Sequence, residues 1–126
     1  MEVQLLSPER ILYEGEATYV MARTLGGGDI AFLEGHAPFI GALDIHPVVI
    51  RPNDGAELVV AVHGGFVEVS NSRVTILSDV AELASQIDVE RAREAARAAE
   101  EALRREENAG NEAALRRAQV RLDLVS

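Results

Sequence analysis

Two stretches of this 126-residue chain hold the residue types best suited to binding an anion: Ile87-Asp88-x-x-Arg91-Ala92 and Arg116-Arg117-Ala118-x-x-Arg121-Leu122. A guanidinium is a planar fork whose N–H groups match phosphate oxygens, and a nearby aspartate can accept from an exocyclic amine or cap a helix. If both stretches are helical and antiparallel, Arg117 and Arg121 lie one turn apart on one face. The end of the second helix then returns to the start of the first, and Arg91, Arg117 and Arg121 converge beside Asp88. The ordinary alternative is a set of solvated arginines and a plain N-cap.

Other chemistry is scarce. All twelve basic residues are Arg, with no Lys and no Cys. That removes the P-loop lysine, Schiff-base chemistry, thiol nucleophiles, disulfides and cysteine-ligated metals. His36, His46 and His63 lack the spacing of a helical metal site, and each adjoins a turn signal, so turn or packing roles are expected. Gly26-Gly27-Gly28 reads as a hairpin turn, since neither a Lys nor a helix start follows it. No Gly-x-Ser-x-Gly elbow occurs. No catalytic residue, no metal and no required cofactor are expected.

A net charge of -9 argues against a nucleic-acid partner, which needs a clustered basic face. The longest apolar run, Leu58 to Val62, is far short of the roughly 20 residues of a membrane-spanning helix, and the amino terminus lacks a signal-peptide layout. A cytoplasmic chain without membrane insertion is expected.

Composition divides the chain after Leu83. All five Phe and Tyr, all four Pro, nine of ten Gly and eleven of fourteen Val precede that point, whereas eleven of nineteen Ala and eight of twelve Arg follow it. Residues 1–83 carry 12 acids and 4 Arg, a balance of -8, and residues 84–126 carry 9 acids and 8 Arg, a balance of -1. Before the boundary, short β-branched runs alternate with turn residues about every ten positions, as in an all-β sandwich. Candidate strands are 3–6, 11–13, 17–24, 29–33, 39–43, 48–51, 57–63, 66–70 and 74–77, with Pro52 to Gly55, Gly64-Gly65 and Asn71-Ser72 among the turns. The run Leu58 to Val62 has no polar alternation and suits a strand covered on both faces. Beyond the boundary, Asp88 is a good N-cap. Ala92, Ala95, Ala96, Ala99, Ala102 and Leu103 then recur at helical spacing, with Glu100–Arg104 and Glu101–Arg105 as favourable pairs. The helix is expected to run to about Asn108, with Gly110 as C-cap and Asn111 capping a second helix from Glu112 to about Leu124. That helix places Leu115, Ala118, Leu122 and Val125 on one stripe. Two helices joined largely through alanines bury little apolar area, so this hairpin is a marginal unit able to open or dock elsewhere.

The ordered series Ser7-Pro8-Glu9-Arg10, Tyr13-Glu14-Gly15-Glu16-Ala17, Gly35-His36-Ala37-Pro38, Gly64-Gly65-Phe66-Val67-Glu68-Val69 and Val74 to Glu82, followed by Ile87-Asp88, resembles the epsilon subunit of bacterial F-type ATP synthase. That family includes the chloroplast epsilon and mitochondrial delta subunits. The resemblance implies a mainly β plus α fold: an amino-terminal ten-stranded β-sandwich over 1–83, in contact with the gamma subunit and the c-subunit ring, and a carboxy-terminal antiparallel two-helix hairpin over 84–126. It implies a non-catalytic rotor subunit of the central stalk, peripheral on the cytoplasmic face of the bacterial plasma membrane, coupling proton-driven rotation to ATP synthesis. The hairpin is expected to be a mobile regulatory domain that inhibits ATP hydrolysis when it extends into the alpha/beta head. The family's ATP-binding pattern maps onto Glu82, Ile87, Asp88, Arg91, Ala92, Arg117 and Arg121, with ATP as a regulatory ligand. The chain departs from the family at Ala31-Phe32-Leu33-Glu34, where Gly-Ile-Leu-Pro is common, and at His46, where Gly is usual. A rival reading is a free-standing ligand-binding β-sandwich with the hairpin as its lid.

Overall fold

The computed structural model describes residues 1–125. Seven strands come first: β1 (Glu2–Ser7), β2 (Arg10–Thr24), β3 (Gly28–Phe32), β4 (Phe39–Pro52), β5 (Leu58–Ser70), β6 (Arg73–Leu77) and β7 (Ala81–Leu83). A single 3-10 turn, Ala84–Gln86, leads into α1 (Val89–Arg105) and α2 (Ala109–Val125). The strands pair in the order β1-β6-β5-β4-β2-β3, β7 adds to β5, and β1 also pairs with β2, so the sheet closes on itself.

Seven strands replace the expected ten because three pairs of short runs are continuous, bent strands. The first half of β2 pairs with β1, from Glu2↔Glu16 to Ser7↔Arg10, and its second half pairs with β3 and β4, with register shifts at 17–19 and 21–24. Likewise β4 absorbs 39–43 and 48–51, and β5 absorbs 57–63 and 66–70 apart from Glu57. Irregular pairing of this kind bends a strand so that it serves both layers of a sandwich. Gly64-Gly65 is accordingly not a hairpin turn. It lies inside β5 with φ of 85° and 117°, and a Cβ on Gly65 would stand 2.1 Å from the Leu77 carbonyl oxygen. Glycine is the residue that tolerates both demands.

Inward-facing residues of all the layers meet in one core. Phe32, Leu5, Ile50, Ile76, Val3, Val20, Val48, Val60, Val62, Val67 and Val74 are fully buried there. Phe32, one of the family departures, fills the core and packs its ring 5.0 Å from His36 and 5.7 Å from Phe39, centroid to centroid. Val60 and Val62 of the apolar run point into the core, whereas Ala61 is also fully buried but outside that cluster. The second face of β5 is covered by α2, which packs on β4 and β5.

Asp88 caps α1 by accepting from the Arg91 amide at 3.1 Å. Only Ala92, Ala96 and Ala99 of α1 are buried. The helix stops at Arg105, earlier than expected, because Asn108 is itself the better cap. Its Oδ1 accepts from the Asn111 amide at 2.8 Å, which makes Ala109 and Gly110 the first turn of α2. Gly110 has no positive φ, and the Asn111 side chain closes α1, its Nδ2 donating to the Glu106 carbonyl at 2.8 Å. Glu101 pairs with Arg105, joined by Glu90–Arg93 and Glu94–Arg97. On α2 the buried residues are Ala118 and Val120, whereas Leu115 and Leu122 are half-buried. The single stripe expected there is replaced by two buried faces, because α2 lies between α1 and the sheet.

Candidate functional site

The site forms where the last strand hands over to the helices. β7 pairs with β5 through Val60↔Leu83, Ala61↔Glu82 and Val62↔Ala81. Strand alternation puts Ala81 in the core and leaves Glu82 on the face that α2 covers. The Gln86 side chain accepts from the Leu83 amide at 2.9 Å and fixes the 3-10 turn. Ile87 is buried at the end of that turn and anchors the start of α1, leaving Asp88 exposed at its tip.

Glu82 is the hub. One oxygen, Oε1, accepts from Arg121 Nε at 2.6 Å and from His63 Nε2 at 3.0 Å, so a single carboxylate joins β7, β5 and α2. Both members of the Glu82–Arg121 pair are about three-quarters shielded from solvent, which makes this contact stronger than a surface ion pair. The His63 side chain is 2% exposed. Burial pushes its pKa below the ordinary value; the hydrogen bond to Glu82 opposes that shift, and Arg121 and Arg117 reinforce it. Its Nδ1 is buried and has no hydrogen-bond partner.

A cavity of about 330 Å³ opens beside this hub. Glu82, Gln86 and Arg121 form one side of its lining, and Asp88, Arg91, Ala92 and Ala95 of the α1 start form the other. Of the residues picked out in the sequence, Glu82, Asp88, Arg91, Ala92 and Arg121 thus meet around one space. Ile87 belongs to the packing beneath it, and Arg117 does not line it but acts on the His63 ring. The cavity carries two carboxylates and two guanidiniums. Arg121 is engaged by Glu82 and Asp88 by the helix amide, while the Arg91 side chain has no hydrogen bond or ion pair among the described residues. Such a wall can present one uncommitted forked donor, and a second if Glu82 shares Arg121.

Sequence reasoning named two residues here without finding their contacts. Arg116, on the opposite edge of α2, donates to the Ile45 carbonyl at 3.0 Å and pairs with Asp44 at 2.9 Å, which pins the helix to β4. His63 is neither in nor beside a turn; it faces the hairpin from the middle of β5. Its position five residues into an apolar-flanked strand was the available signal, masked by the Gly64-Gly65 that follows. Among the described residues no group of three His, Cys, Asp or Glu side chains is placed to hold a metal ion. No helix among the described residues is long and apolar enough to cross a membrane.

Residues 1–84, the closed sandwich of bent strands, match the family described as ATP synthase, Delta/Epsilon chain, beta-sandwich domain. Similar chains include the ATP synthase epsilon chain of Streptomyces avermitilis, 43% identical over 126 residues covering 100% of this chain and 95% of that one. The ATP synthase epsilon chain of Brevibacillus brevis is 44% identical over 82% of this chain and 77% of its own length. The fold is shared with a chain in the cryo-EM structure of the Euglena gracilis mitochondrial ATP synthase OSCP/F1/c-ring, with a TM-score of 0.79, 20% identity and coverage of 94% of this chain and 76% of that one. This chain belongs to the ATP synthase epsilon chain family. It is a non-catalytic subunit of that complex.

Proposed function

We propose that the chain is a rotor subunit of the central stalk, whose β-sandwich seats on the gamma subunit and the c-ring at the cytoplasmic face of the membrane and couples proton-driven rotation to ATP synthesis. The observation that carries this reading is a row of apolar side chains across the outside of the sheet. Register places Ala42 beside Phe66, Phe66 beside Leu77, Leu77 beside Leu6 and Leu6 beside Ile11, so the row crosses β4, β5, β6, β1 and β2. Phe66 is 62% exposed, and Ile11 and Leu77 are also exposed, as is Ile40 one step along β4. A contiguous apolar row of this kind on an acidic protein marks a protein-binding surface. Copurification with gamma tests it: wild type is expected to be retained and Phe66→Asp lost. A chain recovered alone in both forms would favour the free-standing sandwich with a lid.

The hairpin supplies regulation. It docks through alanines and two arginine anchors, and in its released state it extends toward the alpha/beta head and slows ATP hydrolysis. In the docked state the cavity between Glu82, Asp88, Arg91 and Arg121 takes ATP, with Arg91 and Arg121 on the phosphates, Arg117 near by, and Ile87 and Ala92 shaping the floor. ATP then favours docking by its differential affinity for that state. Calorimetric titration of the full chain with ATP is expected to give binding heat that is lost in Arg91→Ala; no heat at millimolar ATP in wild type would remove the sensor role. Removal of residues 88–126 is expected to raise hydrolysis by the reconstituted complex, and an unchanged rate would mean that the hairpin is not a brake.

A further inference from the structure

The Glu82 hub holds three ionisable groups from three elements on one oxygen, and only one of its two donors belongs to the hairpin. Because Glu82 is paired with Arg121 it is ionised, and His63 must therefore carry its proton on Nε2 to donate to it. Its Nδ1 is then a bare lone pair, buried and without a partner. Protonation of Nδ1 would bury an N–H with no acceptor and add a positive charge beside Arg121 and Arg117. While α2 is docked, the ring is held neutral.

Lifting α2 reverses each of these conditions. Arg121 and Arg117 leave with the helix, the outer face of β5 opens to water, and Glu82 keeps its negative charge with no cation opposite it. His63 already stands 3.0 Å away, able once it takes up a proton to replace Arg121 as the counter-charge. We propose that His63 and Arg121 compete for Glu82, so that lifting α2 off the sheet is coupled to proton uptake by His63 and acidification favours the released hairpin. This rests on the reading of a hairpin that detaches.

The groups acting on the ring are Glu82 from β7 and Arg121 and Arg117 from α2. On the adjoining β4, Asp44 is committed to Arg116, and Asp79 lines the neighbouring cleft from the loop after β6. Histidine is the side chain among these whose ordinary titration range lies between about pH 5 and 8. The sign follows from the depressed docked-state pKa. The released state binds more protons, so docking is undisturbed well above about pH 6.5 and weakens as pH falls through the ordinary histidine range. A single coupled proton changes the docked-to-released ratio by at most about tenfold per pH unit.

The test uses the full chain. Because it has no native cysteine, dyes at Glu9→Cys and Glu107→Cys report the sandwich-to-hairpin distance specifically. Between about pH 8 and 5 the released fraction is expected to rise in the otherwise wild-type chain and to stay flat in His63→Gln, which keeps a neutral donor for Glu82. Ring resonances of His63, followed by NMR in unlabelled protein, are expected to titrate at higher pH in Arg121→Gln than in wild type; this second readout stands even if His63→Gln fails to fold. Equal pH slopes in wild type and His63→Gln, or equal His63 midpoints with and without Arg121, overturn the latch alone. A distance that never changes, even in Arg116→Ala/Arg121→Ala, overturns the detachable hairpin as well.

Discussion

The sandwich and the hairpin are stabilised in different ways. Sandwich residues Phe32, Leu5, Ile50 and Ile76 are fully buried large side chains from strands distant in sequence, enclosed by a sheet that closes on itself. In the hairpin the buried residues are Ala92, Ala96, Ala99, Ala118 and Val120, and α1 reaches the body mainly through α2. Alanines let the helices approach closely but remove little apolar area from water, so the hairpin depends on caps and on the Arg116 and Arg121 anchors. A small set of polar contacts can be exchanged for others without unfolding anything. A close-packed core cannot, because any opening exposes all of it. The division suits one half that must stay rigid and another that must come away.

This contrast can be broken or sharpened by substitution. The largest effect is expected in the sandwich. Phe32→Ala should cost about 3–5 kcal/mol of global stability in denaturant unfolding, and a loss below about 1 kcal/mol would show that the core is not the rigid partner. Next, Arg121→Gln should weaken hairpin docking by about 1–3 kcal/mol. Amide exchange should accelerate in α1 and α2 while β5 and β6 keep their protection. Acceleration spread evenly over both regions would mean that the two halves unfold as one. Smallest of the three, Asp88→Ala should cost about 1 kcal/mol through the lost cap and should register as fraying at the start of α1, with the sandwich melting transition unmoved.

Much of this organisation was legible in residue order. Asp88 sits before an alanine-rich helical period and does cap it, and the change from β-branched runs to that period falls where β7 gives way to the helices. The inter-helix turn was misread because Gly110 and Asn108 both carry terminator chemistry, and local sequence does not say which is used. Asn108 wins by capping α2 while Asn111 closes α1. Gly64-Gly65 looked like a hairpin turn because positive φ serves a turn and a strand bend equally well. The anchoring roles of Arg116 and His63 were not legible because their partners, Ile45 and Glu82, lie 71 and 19 residues away.

By itself, the sequence determined the kinds of segment, their order, the absence of thiol and lysine chemistry, and the concentration of negative charge in the first 83 residues, where 8 of the 9 net charges lie. These follow from composition and short-range periodicity, which act within a few residues. Only the tertiary structure decided which arginine does what. Arg116 and Arg121 became anchors, Arg91 was left with an uncommitted fork at the cavity, and Arg117 was placed to act on His63. Charge pairing and burial depend on distances of a few ångströms across the fold, and those exist only once the sheet has closed and α2 lies against it.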